Sequence, residues 1–230
     1  LHDRIRGVEG LYDRLVETIF GLEKLKSKFR NFYTVSSTVY SSDTQDTIRD
    51  TVDHLRNNLP MDQNAVTYIR GTPKDLRTKE VDLAEYRALS RDIEEKNKVS
   101  RHPMSNVIHA ISRLTADRVV LSEAAPEGQR PFDCFGGSKL LVIDDEGEVK
   151  PCEILSDTFG NLRDYDFDVR KMLSTVAAKD LVQFIHDKKC NCTWECAIQC
   201  SMVFNSKEYP RILGKMLRPG QGSGVLRNPA

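Results

Sequence analysis

The chain offers chemistry mainly through its six cysteines. Cys134 and Cys152 form one pair, and Cys190, Cys192, Cys196 and Cys200 fall within eleven residues. No export signal is visible, and a bridge between Cys190 and Cys192, two positions apart, would be strained. The set therefore reads as metal-binding thiols in a reducing compartment rather than as disulfides. Four thiolates suit a tetrahedral zinc ion or a 4Fe–4S cluster, and buried structural thiols are the plainer alternative. Cys192 and Cys196 are four apart, so a helical turn there would aim both sulfurs the same way. Cys190 would lie on the approach, and Cys200 would continue the same face.

The elements that must position these thiols are legible around them. Residues 131–155 (PFDCFGGSKLLVIDDEGEVKPCEIL) predict a strand over Lys139–Ile143 and a turn in which Gly147 supplies positive φ. A return strand from Glu148 completes a β-hairpin that brings Cys134 and Cys152 toward one end. Gly136 and Gly137 permit the backbone to approach a bulky group closely. Farther on, Gly160-Asn161 predicts a turn. Phe167, Val169 and Leu173 begin one helix, and residues 179–186 form another.

Upstream, Leu11, Leu15, Val16, Ile19, Leu22, Leu25 and Phe29 recur at helical spacing. Residues 31–40 (NFYTVSSTVY) are aromatic and β-branched and predict a strand. Ser42, Asp43 and Thr44 offer caps before a second amphipathic helix marked by Ile48, Val52, Leu55 and Leu59, which Pro60 ends. A short apolar strand follows at 65–69. This alternation is the grammar of a parallel α/β sheet. Two strands do not complete such a sheet, so residues 1–75 read as part of a larger barrel. Together with Leu1 in place of an initiator Met, this reads as a piece of something longer. Residues 76–125 predict a helical bridge, with helices near 83–93 and 107–121, a turn at His102-Pro103 and a boundary near Pro126. The Gly- and Pro-rich stretch 219–230 predicts a flexible tail.

Composition narrows the class further. Hydrophobic residues make up 39% and charged residues 30%, as in ordinary globular chains. Lys plus Arg (34) equals Asp plus Glu (34), which gives no footing to a nucleic-acid partner. No apolar run is long enough to span a bilayer. The expectation is a cytoplasmic protein acting away from membranes and nucleic acids.

The pattern Cys134, Gly147, Cys152 and a later cysteine cluster resembles the SPASM and twitch modules of radical S-adenosylmethionine (SAM) enzymes. Val142-Ile143, Val149, Pro151-Cys152-Glu153, Gly160-Asn161-Leu162-Arg163 and Cys192-Thr193-Trp194-Glu195-Cys196 extend the likeness beyond the cysteines. His2-Asp3 with Arg6-Gly7 resembles the segment after the fourth barrel strand of that superfamily. The resemblance implies an α/β protein: the C-terminal half of a radical SAM barrel over 1–75, helices over 76–125, and a small Cys-rich α+β module over 126–218. It implies one auxiliary 4Fe–4S cluster held by Cys134, Cys152, Cys192 and Cys196, with Cys190 the substitute. Asp3 and Arg6 would then stand on the SAM side. The implied partners are an electron donor and a peptide, protein or small-molecule substrate. The superfamily's C-x3-C-x2-C motif for the SAM cluster is absent here, as is the glycine-rich segment that holds the methionine part of SAM. Activity is therefore expected of a full-length parent. The rival reading is a non-catalytic zinc or iron–sulfur module, or a truncated gene fragment.

Other polar residues read more plainly. His2, His54, His102, His109 and His186 are scattered, His186 lying nearest the cysteines. Ser36, Ser37 and Thr38 lie toward the end of a strand, where barrels place their chemistry. Glu153 and Glu195 adjoin cysteines and could act from beside the cluster. Trp194, the one tryptophan, would shield it from water.

Overall fold

Aromatic and β-branched side chains favour extended backbone, and two such runs pair as β1 (Val35–Tyr40) and β2 (Gln63–Tyr68). They run parallel, in register from Val35 opposite Gln63 to Tyr40 opposite Tyr68. Parallel strands need a crossover rather than a tight turn, and α3 (Ile48–Asn58) supplies it. In this computed structural model the described residues are 1–29, 32–97, 105–126, 128–187 and 190–217. The turn expected at His102-Pro103 and the tail expected at 219–230 lie outside them, as does Asn31 at the start of the first expected strand.

The chain divides into two compact units, Leu1–Ile69 with Asp75–Val99, and Arg70–Lys74 with Ser100–Ala230. In the first, α1 (His2–Arg6) and α2 (Leu11–Lys26) precede the β-α-β unit, and α4 (Leu83–Lys96) packs on β2. Tyr40, Tyr68 and Tyr86 meet at its centre, with ring centroids 5.5 Å and 5.4 Å apart in the two pairs made by Tyr86. Ile48, Val52, Leu89 and Ile93 complete the core. Burial pushes the Tyr40 phenol up to about 12, and its hydroxyl donates to the Asp82 carbonyl at 3.1 Å. The Asn97 side chain meets the backbone of Asn64 on β2. Its carbonyl accepts from the Asn64 N–H at 3.0 Å, and its amide donates to the Asn64 carbonyl at 2.9 Å. A buried strand edge is thereby satisfied without another strand.

The second unit is built from α5 (Ser105–Glu123), α8 (Glu195–Phe204) and α9 (Tyr209–Leu217), which pack together, and from a small antiparallel sheet. Its strands β3 (Val142–Ile143), β4 (Glu148–Lys150) and β5 (Gly160–Asn161) lie in that order. The first strand is shorter than expected, because residues 136–141 close a loop through Gly137 N to Leu140 O at 2.8 Å. Gly160-Asn161 pairs with β4 instead of turning, with Gly160 at φ 112. Gly147 takes φ 88 in the β3–β4 turn, as anticipated. The helices α6 (Val169–Leu173) and α7 (Val176–His186) follow, each capped at its start by a side chain, Asp168 and Thr175. The stretch expected as a bridge is divided, α4 belonging to the first unit and α5 to the second.

The whole is a mixed α/β protein with small sheets. Among the described residues no helix is long and apolar enough to cross a membrane. Tyr86→Ala, which empties the centre of the tyrosine cluster, is expected to destabilise the first unit by about 3–5 kcal/mol. Urea unfolding followed by tyrosine fluorescence measures it, and a loss under about 1 kcal/mol would show that this cluster is not the core.

Candidate metal centre

The segments flanking the β3–β4 hairpin and the loop before α8 bring four sulfurs to one pocket. Cys134, Cys152, Cys190 and Cys192 line it, together with Arg130, Gly136, Ile154 and Ala197. It encloses about 330 Å³ free of protein atoms, part of it open to solvent. All six cysteines of the chain are free thiols. Beneath the pocket, Cys152, Trp194 and Ala197 form a buried apolar cluster against Cys134, Leu140, Val142, Ile154, Leu155 and Cys192.

Each of the four sulfurs accepts an N–H. Gly136 N donates to Cys134 Sγ at 3.3 Å, and Leu155 N donates to Cys152 Sγ at 3.4 Å. The Trp194 backbone N–H serves Cys192. Arg130 Nη1 donates to Cys190 Sγ at 3.0 Å. The short loops make this possible. A Cβ on Gly136 would lie 3.1 Å from the Pro151 carbonyl, so only a glycine brings that N–H in without pushing on its neighbour. Such donors favour the thiolate form.

Burial works against the donors. It raises the thiols of Cys152 and Cys190 above their ordinary value and pushes Cys192 up to about 12. The thiols also act on one another. Cys134 and Cys152 raise Cys190, and all three raise Cys192, because a second thiolate nearby disfavours ionisation. Cys152, Cys190 and Cys192 are thereby held toward the protonated form. Among the described residues no three His, Cys, Asp or Glu side chains stand close enough together to hold a single metal ion. A tetrahedral zinc site needs sulfurs roughly 3.8 Å apart, which follows from Zn–S bonds of about 2.3 Å.

The other anticipated residues lie elsewhere. Cys192 and Cys196 do not share a helical turn, because α8 begins at Glu195 and Cys192 precedes it. Cys196 is exposed and does not line the pocket. Cys190, expected only as a substitute, does. Cys200 reaches toward the Lys139 carbonyl at 3.8 Å, outside the pocket lining. Glu153 pairs with Arg70 at 2.5 Å on the surface instead of turning to the thiols, and His186 is exposed at the end of α7. Trp194 is 3% exposed, and its indole N–H has no acceptor among the described residues.

In the first unit, Asp3 is taken up by local structure. It accepts from the backbone of Gly10 and Tyr12, both at 2.8 Å, and from His2 at 3.1 Å. The His2 contact above all holds its carboxyl below the usual range. Arg6 is exposed. Ser36 bonds Asn64 at 2.7 Å and Ser37 bonds Thr67 at 3.3 Å, across the strand pair.

Sequence reasoning missed Arg130, which nothing in composition or spacing marks. The N-terminus of α8 did leave a signal: Glu195 is the acidic first-turn residue that helix starts favour. No protein-family model, characterised protein or solved structure matches the chain.

Because the unfolded Cys192 thiol ionises near 9 and the folded one near 12, metal-free protein is stabilised at low pH. That contribution is complete below about 9 and is lost as pH rises toward 12. Guanidinium unfolding of the metal-free protein across this window should show stability falling with pH, less steeply in Cys192→Ala. An identical slope in the two proteins would show that the thiol is not held protonated.

Proposed function

We propose that this chain holds an auxiliary 4Fe–4S cluster on Cys134, Cys152, Cys190 and Cys192, as the C-terminal part of a radical SAM enzyme with a SPASM/twitch-type module. The observation that carries the reading is four sulfurs lining one pocket, each given an N–H. The donor set fits the group. Thiolates are the usual ligands of such clusters, and N–H donors to sulfur are among the protein's means of setting cluster potential. The Trp194 indole, without an acceptor among the described residues, adds a buried donor among the residues packed beneath the thiols.

When bound, the cluster supplies one-electron chemistry or an anchoring point for substrate. The chain's own part is to keep four sulfurs converged, exclude water with Trp194, Ile154 and Leu155, and stabilise negative charge through backbone N–H groups. The proposed partners are an electron donor and a substrate that is a peptide, a protein or a small molecule. SAM binding belongs to the full-length parent, with Asp3 and Arg6 assigned to that side by the resemblance alone. The C-terminal-half barrel reading for the first unit is supported by its parallel β-α-β unit.

Anaerobic reconstitution with iron and sulfide should give a brown protein with about four irons per chain. Alanine at Cys134, Cys152, Cys190 or Cys192 should remove most of the iron, whereas Cys196→Ala and Cys200→Ala should retain it. A colourless protein carrying one zinc per chain would overturn the cluster in favour of a zinc module. Iron unchanged in Cys134→Ala and Cys152→Ala would remove the assignment altogether.

A further inference from the structure

Arg130 is 2% exposed and lines the thiol pocket. Its guanidinium donates to Phe132 O at 3.0 Å, Ile185 O at 2.6 Å, Cys190 O at 3.3 Å and Cys190 Sγ at 3.0 Å. It also lies over the Phe132 ring, 5.4 Å from the centroid. No carboxylate among the described residues pairs with it. A guanidinium keeps its proton in any protein, so the interior holds a full positive charge solvated by carbonyl dipoles and opposed by no carboxylate among the described residues. Leaving a buried charge unpaired is costly. Among its described hydrogen-bond partners, Cys190 Sγ is the one atom able to become anionic.

Part of its role is structural. Ile185 belongs to the last turn of α7, whose carbonyls lack partners within the helix, and a cation there suits the helix end. A neutral donor could cap that carbonyl as well, however. What a capping role leaves unexplained is why a permanent charge sits against a thiol inside a pocket of thiols.

We propose that Arg130 is the counter-cation of the anionic assembly bound in this pocket, holding its reduction potential up and securing Cys190 as a ligand. The inference rests on the cluster reading given above. A 4Fe–4S core with four thiolates is a net anion, and each electron it accepts makes it more so. A fixed positive charge at 3.0 Å from one ligating sulfur favours the reduced form and resists release of that thiolate. Arg130 acts here through Cys190 as a positioning and charge-balancing residue.

The test compares wild type, Arg130→Gln and Arg130→Lys after anaerobic reconstitution. Iron content is measured, and reduction by dithionite is followed by electron paramagnetic resonance against potential. Glutamine keeps a donor and loses the charge; lysine keeps the charge and loses the planar fork. The expected result is a lower potential in Arg130→Gln, at least a tenfold shift in the reduction equilibrium, or about 59 mV for one electron. Loss of most of the iron in that variant counts equally. Arg130→Lys should restore whichever property glutamine loses. If glutamine behaves as wild type, or if lysine fails to restore what glutamine loses, the charge is not what the site uses and the inference falls, with the cluster reading intact. If wild type itself holds no cluster, both fall together.

Discussion

Four sulfurs withdrawn from water set the terms for the second unit. A thiol can be buried cheaply and a thiolate cannot, so desolvation holds Cys152, Cys190 and Cys192 in the neutral form. The surroundings are arranged for the opposite state, with a backbone N–H aimed at Cys134, Cys152 and Cys192 and the Arg130 guanidinium at Cys190. A cationic occupant of the kind proposed would reconcile those two tendencies by displacing the protons. The pocket is therefore less a finished site than one whose final charge state depends on its occupant.

The fold spends its local irregularities on this arrangement. Gly136 and Gly137 let the chain turn tightly behind Cys134. At Gly137 a side chain would collide with Phe159 and Val182, within 3.0 Å of both. Gly147 is similarly crowded by Arg163 and Asn161, whose side chains both donate to the Glu146 carbonyl and pin the β3–β4 turn. Behind the pocket, Arg118 on α5 pairs with Glu208 at 2.6 Å and donates to the Pro131 carbonyl at 2.7 Å. Both partners are nearly buried, so this pair ties the start of the cysteine-bearing segment to the helices and would be damaging to break from one side. The anchoring residues are thus polar, charged or glycine, and the pocket walls combine the thiols with apolar side chains and Arg130.

The first unit obeys different physics. Its core is three tyrosines and a few aliphatic residues around a two-stranded parallel sheet. Parallel strands normally lie in larger sheets covered on both faces. Here Asn97 closes one backbone edge, while Val35 and Val39 of β1 remain exposed. Stability on this side comes from ring packing and one satisfied edge rather than from extensive pairing.

Helical periodicity alone located α2, α3, α4 and α5, because each presents a regular apolar stripe that only a helix can bury. The β-α-β order and the Gly147 turn were equally legible, since both follow from local propensity and from the positive φ that glycine tolerates. The residue types also marked out the cysteines, four of which line one pocket. Sequence spacing could not choose among those thiols. It put Cys192 and Cys196 on one helical turn, whereas the helix starts only at Glu195, so Cys192 turns into the pocket and Cys196 stays in solvent. Nor could it single out Arg130, which lies sixty positions from Cys190 and reads as one more surface cation. Convergence of distant segments and the burial of a charge are properties of tertiary packing. They depend on which surfaces exclude water together, and no local pattern of residues encodes that.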